Sequence, residues 1–280
     1  GEWVLRQVDY VDETNRVVYF TASGFNKGED PYNLHYCRIN LDGTGFTDMT
    51  PENGNHRVTF SADRSYFTDV YSRPDLPPVS QLKRTSDASV VAGLQRCDVS
   101  ALQAEGWQMP EVFCAKGRDG QTDIWGNIYR PMHFDASKSY PVVEFIYAGP
   151  HDSHVDKDFK PAHHLVSKLV ELGFIVVSID GMGTSNRSKA FHDVCWKNLK
   201  DAGFPDAYSK NNLTCITLAD HLTRQFEQQI NHYSFRAKGS GKSGLISVSH
   251  CGQEILSRTA CEITSKGITA RFFIGFPANG

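Results

Sequence analysis

Ser249 is the first residue to examine for chemistry. The apolar pair Leu245-Ile246 leads through Ser247-Val248 into Ser249-His250-Cys251-Gly252-Gln253, and a helix-like run follows. A serine on a strained strand-to-helix turn presents its hydroxyl for nucleophilic attack, and the pattern G-x-S-x-G supplies small neighbours for clearance. No such pentapeptide occurs here: Ser247 and Cys251 stand where the two glycines belong. Spacing alone leaves an ordinary strand-end serine as the competing reading. The second candidate is Tyr147, in Tyr147-Ala148-Gly149-Pro150-His151. A tyrosine at a strand end before a Gly-Pro turn can point its hydroxyl into a cleft, and a core or surface tyrosine is the alternative. The third stretch is Asp180-Gly181-Met182-Gly183-Thr184-Ser185-Asn186-Arg187, where two glycines permit a tight turn. Asp180 is expected to cap that turn or to pair with Arg187.

Other chemistry is excluded by what the motifs lack. Gly239-Ser240-Gly241-Lys242-Ser243 resembles a phosphate loop, but the full pattern requires glycine at position 236, which is Arg236. Gly181-x-Gly183 fails as a dinucleotide fingerprint because position 186 is Asn. His163 and His164 are adjacent, so on a helix their rings diverge, and a solvated face is expected rather than a metal site. The seven cysteines are odd in number and form no C-x-x-C, which predicts free thiols, no zinc site and no disulfide framework. No metal and no cofactor is expected.

These candidates need elements to hold them. Short β-branched and aromatic runs recur over the first ninety or so residues: Val17 to Thr21, Leu34 to Ile39, Arg57 to Phe60, Tyr66 to Tyr71 and Val79 to Lys83. Turn signals such as Asn40-Leu41-Asp42-Gly43 and Ser61-Ala62-Asp63-Arg64 separate them. The spacing predicts a sandwich, barrel or propeller, and the Phe60 to Phe67 hairpin looks like the inner hairpin of a propeller blade. So few strands should leave sheet edges unpaired. Three prolines between Tyr71 and Pro78 predict an extended connection outside the ladders. A polar turn and a short helix near Val99 mark a join, after which the pattern changes. Ile124 to Tyr129 and Pro141 to Tyr147 read as strands, Ala162 to Leu172 as a helix with Leu165, Leu169 and Leu172 on one face, and Phe174 to Ile179 as another strand. That is a βαβ unit, and its near-continuous apolar strands predict a parallel sheet covered on both faces.

The chain has 280 residues, 40% of them apolar and 22% charged, which is globular composition. Its net charge of −3 and the lack of long charge runs exclude nucleic acid as an expected partner. Its longest apolar runs are far too short for a membrane span. The first residue is Gly1 rather than Met, so a processed or partial chain is expected.

Residues Tyr140 to His151, with the core Val142-Val143-Glu144-Phe145-Ile146-Tyr147-Ala148-Gly149-Pro150, are similar to the start of the peptidase domain in the prolyl oligopeptidase family, dipeptidyl peptidase IV branch. Leu172 to His192, Trp196-Lys197-Asn198-Leu199 and Asp201 to Asp206 resemble bacterial members of that branch. Asn40 to Gly45 and Thr50 to His56 resemble the last blades of the family's propeller. The resemblance covers about residues 1 to 206. Beyond Asp206 only Ser249 to Gln253 and, more weakly, Gly275 to Pro277 match, and that stretch reads either as divergence or as a change of reading frame.

The resemblance implies a serine-type exopeptidase acting on short peptides, often after proline or alanine. It implies blades of a β-propeller over residues 1–93, a connection over 94–107, and the N-terminal part of an α/β hydrolase, with a parallel-sheet core, over 108–280. Ser249 would be the nucleophile, and the Tyr147 hydroxyl and the His250 backbone N–H would be the oxyanion donors. Peptide substrates, a homo-oligomer and a periplasmic or secreted location are further expectations by resemblance. The family order places an acid and then a histidine after the serine. No Asp follows Ser249, and His250, Glu254 and Glu262 are the only acid–base side chains of these types beyond it. The chain alone is therefore expected to be inactive. A non-catalytic peptide- or protein-binding module is the alternative, and a nucleotide binder using Lys242 a remoter one.

Overall fold

The computed structural model describes residues 2–138, 140–147, 149–199 and 202–207, together with the backbone of four short strands at 248–250, 253–255, 260–264 and 267–271. Two antiparallel sheets come first. β1 (Val4–Asp12), β2 (Val17–Ser23), β3 (His35–Asn40) and β4 (Thr47–Asp48) form one meander in that order. The turn after β3 forms as its residues dictate. Asp42 Oδ1 accepts from the N–H of Thr44 at 2.9 Å, and Gly43 takes the left-handed conformation that closes the turn (φ +84°). β5 (Asn55–Phe60), β6 (Tyr66–Arg73), β7 (Leu76–Arg84) and β8 (Val90–Arg96) form the second meander. The two sheets pack through Tyr36, Met49 and Phe67.

β1, β4 and β8 carry no strong sequence signal and are additions to the expected strands. β8 runs to Arg96 and completes the second sheet, so that sheet extends past the boundary expected at residue 93. The expectation of unpaired edges is met among the described strands. β8 is exposed along its whole length, and β1 exposes Leu5, Val8 and Val11. The proline stretch departs from expectation. β6 and β7 join by a tight turn in which Arg73 pairs with Leu76, and Pro77 and Pro78 lie inside β7. They sit beside a register shift between Tyr71 and Arg73, where a missing donor is tolerated. Pro78 still uses its carbonyl, which accepts from Cys97 N–H at 2.9 Å.

After the short helix α1 (Ser100–Ala104) comes a third sheet, made of β9 (Glu111–Lys116), β10 (Asp123–Tyr129), β11 (Val142–Glu144) and β12 (Ile175–Ile179). Its order is β11-β12-β10-β9. Only β11 and β12 run parallel; β10 is antiparallel to both β12 and β9. The expected parallel core is thus corrected to a mixed sheet. β9 and β10 are joined by the short turn 117–122, and so short a link enforces an antiparallel pair. The βαβ unit itself is present, with α2 (His164–Glu171) between the parallel strands.

β12 is buried at every position. Successive side chains point to opposite faces, so Ile175, Val177 and Ile179 join Ile124, Ile146, Phe191 and Ala207 on one side. Val176 joins Phe145 and Val166 of α2 on the other. Each such side chain stabilises by roughly 1.5–3 kcal/mol over exposure. Leu165 and Leu169 pack here as their spacing predicts, whereas Leu172 follows the helix end and is exposed. α3 (Lys189–Asp193) and α4 (Phe204–Ala207) lie on the Ile179 face. Two glycines permit close approach. A Cβ on Gly126 would lie 2.4 Å from the Ser178 carbonyl, and one on Gly181 would lie 2.6 Å from that of Gly203.

The loop 155–159 ties this sheet to the other two. Asn55 Nδ2 donates to Asp158 Oδ1 at 2.7 Å, Phe159 N–H to Ser72 Oγ at 3.1 Å, and Lys157 Nζ lies 2.6 Å from Asp30 Oδ2.

Candidate active site

The parallel pair β11 and β12 ends on one side of the third sheet, and in open α/β sheets this is where ligands bind. Tyr147 lies just past β11 and is half-buried. A Cβ on Gly149 would lie 2.6 Å from Tyr147 Cε1, so the ring folds back over Gly149, and a side chain there would displace it. The His154 ring lies nearly parallel to the Tyr147 ring, with centroids 6.2 Å apart, and the Phe145 ring packs against His154 at 4.5 Å. Burial pulls the His154 pKa down, against the opposing charge of Asp180. His192 Nε2, from α3, donates to the Pro150 carbonyl at 2.9 Å and fixes the same turn.

Asp180 follows β12 and is fully buried. Its carboxylate accepts from the His154 N–H at 2.8 Å and the Val155 N–H at 2.9 Å. It thus anchors the loop that backs Tyr147, and the expected partnership with Arg187 is corrected. The Arg187 guanidinium instead donates to the Asp123 carbonyl at 3.0 Å and lies over the Phe191 ring at 4.3 Å. Burial raises the Asp180 pKa; the charge of Lys157 and the two N–H donors oppose that rise. Asp206 does similar work nearby, accepting from Arg118 N–H at 2.9 Å and Met182 N–H at 2.7 Å.

Ser249 and His250 lie on β13 (Val248–His250), which pairs antiparallel with β14 (Gln253–Ile255), so that Ser249 faces Glu254. The helix-like run expected after Gly252 begins as this second strand. The side chains of Ser249 and His250 lie outside the described residues, as do Gly239 to Ser243. The structure therefore brings Tyr147 together with His154 and Asp180, not with a described nucleophile. His154 was not singled out by sequence reasoning, because stacking across seven residues of loop leaves no periodic signal.

The remaining candidates are structural. His163 caps α2, its side chain accepting from Val166 N–H at 3.4 Å. Cys37, Cys97, Cys114 and Cys195 are free thiols, of which Cys37 and Cys195 are buried and Cys97 and Cys114 exposed. Among the described residues one group has metal-ligand geometry: Glu52, His56 and Asp69, whose donor atoms lie within 4.8 Å of one another. The Lys83 ammonium lies 2.6 Å from Glu52 Oε2 and 3.0 Å from Asp69 Oδ2, so the chain supplies its own cation there.

Three family models match the chain. The dipeptidyl peptidase IV N-terminal region matches residues 1–78, and the prolyl oligopeptidase family matches residues 161–213. Dipeptidyl-aminopeptidase B of Aspergillus niger is 30% identical over 223 residues, covering 75% of this chain and 23% of the relative. The chain belongs to the prolyl oligopeptidase family, in its dipeptidyl peptidase IV-like branch. It spans about a quarter of the length of the curated relatives it matches. Solved structures share the fold of this family member. A Bacteroides ovatus protein assigned as a dipeptidyl aminopeptidase IV has a TM-score of 0.60 and 24% identity, covering 74% of this chain and 29% of its own. Dipeptidyl peptidase 4 of Porphyromonas gingivalis has a TM-score of 0.57 and 21% identity, covering 75% and 30%. The third model, the N-terminal region of ABC-class ATPases, matches residues 190–280 and overlaps the peptidase match. Within the overlap, Phe191 and Ala207 are built into the core of the third sheet. Among the described residues no helix is long and apolar enough to cross a membrane.

Proposed function

We propose that this chain is part of a serine-type exopeptidase that releases dipeptides from short peptides. The observation that carries the reading is Tyr147, held over Gly149 at the carboxyl end of a parallel strand pair in a chain related to dipeptidyl-aminopeptidases. The two four-stranded meanders are read as propeller blades, expected over residues 1–93 and reaching Arg96 with β8, and the rest of the stretch expected at 94–107 as the connection. The mixed sheet is read as the first half of an α/β-hydrolase core, within 108–280. In this reading Ser249 Oγ attacks the scissile carbonyl, and the Tyr147 hydroxyl and the His250 N–H donate to the oxyanion. A positioned donor of this kind contributes roughly 3–4 kcal/mol to the transition state.

The attacking hydroxyl must lose its proton, and without a base it is a weak nucleophile at neutral pH. The Asp, Glu and His side chains after Ser249 are confined to His250, Glu254 and Glu262. The 280-residue chain is therefore expected not to turn over Gly-Pro or Ala-Pro chromogenic reporters. Turnover that Ser249→Ala abolishes would overturn that expectation. In a longer protein carrying these residues together with a downstream Asp and His, Tyr147→Phe should lower kcat by about 10²–10³. An unchanged kcat would remove Tyr147 from the mechanism.

A second reading, a non-catalytic peptide- or protein-binding module, is favoured by the antiparallel pairing of Ser249 with Glu254, where a nucleophile turn leads into a helix. Peptide binding without turnover by the longer protein would support it. The ABC-class match over 190–280 motivates one control. Saturable ATP binding that Lys242→Ala abolishes would assign the tail to nucleotide chemistry; none is expected, because the phosphate-loop pattern is incomplete.

A further inference from the structure

The loop 154–159 is bonded at every residue, and its two halves hold different parts of the molecule. The His154 and Val155 N–H groups donate to Asp180, and the Asp156 carbonyl accepts from Asn127 Nδ2 at 2.8 Å, so the first half belongs to the third sheet. The Asp158 carboxylate accepts from Asn55 and Arg57, and Phe159 N–H donates to Ser72 Oγ, so the second half ends on the second sheet. Lys157 stands at the crossover and reaches the first. Its ammonium donates to Asp30 Oδ2 at 2.6 Å, in the loop between β2 and β3, and lies 4.7 Å from the centre of the Tyr32 ring. The other Asp30 oxygen accepts from Tyr32 N–H at 3.1 Å, so the carboxylate is itself held in place.

This ion pair is dry. The side chains of Lys157 and Asp30 are 10% and 6% exposed. If it opened, each charge would be left in a medium that cannot solvate it, so the pair fixes the distance between its two loops. The same ammonium acts on the other side as well. Burial pushes the Asp180 carboxyl toward its protonated form, and the charge of Lys157 is the strongest influence opposing that. An ionised carboxylate is the stronger acceptor for the two loop N–H groups. Lys157 therefore holds the loop to Asp30 by contact and supports its bonds to Asp180 by charge. Three residues earlier, the His154 ring lies nearly parallel to the Tyr147 ring and packs against Phe145.

We propose that Lys157 is a positioning residue for Tyr147: through Asp30 it ties the first sheet to the loop that sets His154 against the Tyr147 ring. Its consequence for catalysis rests on the reading of Tyr147 as an oxyanion donor. A misplacement of about 1 Å at a reacting centre can cost on the order of 10²-fold in rate, so a residue that never meets substrate can still govern turnover.

The test uses the full chain with its tyrosines replaced by 3-fluorotyrosine, and Tyr147→Phe assigns the Tyr147 signal in the ¹⁹F spectrum. Lys157→Met is expected to shift that signal, and so is Asp30→Asn, a change in a loop of a different sheet. Should these variants not fold, Asp30→Asn combined with Lys157→Met removes both charges of the pair and carries the test. Arg57→Ala deletes an exposed contact of the same loop and should leave the signal in place. A Tyr147 signal unmoved by loss of the Lys157–Asp30 pair would overturn the proposal. So would a signal that moves equally with Arg57→Ala, since any contact of the loop would then serve. In a longer protein carrying the downstream acid and base, Lys157→Met should lower kcat by about tenfold or more with KM unchanged. If Tyr147→Phe lowers kcat and Lys157→Met does not, the positioning role is overturned. If the signal moves but Tyr147→Phe leaves kcat unchanged, the oxyanion reading fails and the positioning role stands.

Discussion

β6 and β12 are both interior strands, each with a neighbour on either side, yet they are buried by different chemistry. β12 carries Ile175, Val176, Val177 and Ile179 and is covered on both faces by hydrocarbon. β6 turns Phe67, Asp69 and Tyr71 to one side, and Asp69 is wholly buried among ions and rings. The difference lies in what a failure costs. Loss of hydrocarbon leaves a void whose penalty scales with its volume. Loss of one ion leaves its partner charged in a medium that cannot solvate it. The third sheet is held by generic packing, and the second by particular pairs.

The sharpest way to break this contrast is Asp69→Ala, which takes the carboxylate from His56 Nδ1 and leaves Lys83 facing Glu52. It should cost about 3–5 kcal/mol in urea unfolding. A cost below about 1 kcal/mol would show that water reaches the cluster and that the contrast is false. On the hydrocarbon side, Ile175→Ala should cost about 2–5 kcal/mol, with the spread set by how far the cavity collapses. A near-neutral result there would mean that β12 is not the keystone of its sheet.

Asp180 sharpens the comparison, because it is the one fully buried acid at the end of the hydrocarbon strand. Its folded pKa is raised by burial, so the native chain holds this proton more tightly than the unfolded chain. Its contribution to stability is full below the ordinary carboxylate range and is lost as pH rises through the folded value. Unfolding midpoints measured from acid to neutral pH should show this fall, and Asp180→Asn should flatten it. An identical slope in the variant would place the titration elsewhere. The smallest effect is expected at Arg57→Ala. Arg57 pairs with Asp158 at 2.6 Å, but its side chain is 75% exposed, and the change should stay within about 1 kcal/mol.

The same contrast explains what could be read from the residues in order. β2, β3, β5, β6, β7, α2 and β12 announce themselves because burial imposes apolar periodicity on them. β1 and β8 do not, since these two edge strands leave most of their side chains exposed and sequence pattern records burial, not pairing. The direction of β10 against β12 is not legible, because a strand's residues do not encode its neighbour's orientation; the short turn before β10 fixes it only against β9. At the site, Tyr147 and Asp180 stand out as strand ends. The role of Asp180 was hidden, because its partners are backbone N–H groups of a loop and any sequence can supply those. The ion cluster was invisible for another reason. Lys83 meets Glu52 across 31 residues, and His56 meets Asp69 across 13, so no local spacing records either contact.

Lys83 has one practical consequence. A positive charge tethered by its own side chain to the pocket of Glu52 and Asp69 cannot be diluted away, traded for another ion or stripped by a chelator. Dialysis against EDTA should leave this joint as it was, in contrast to domains whose acidic pockets borrow their cation from the medium.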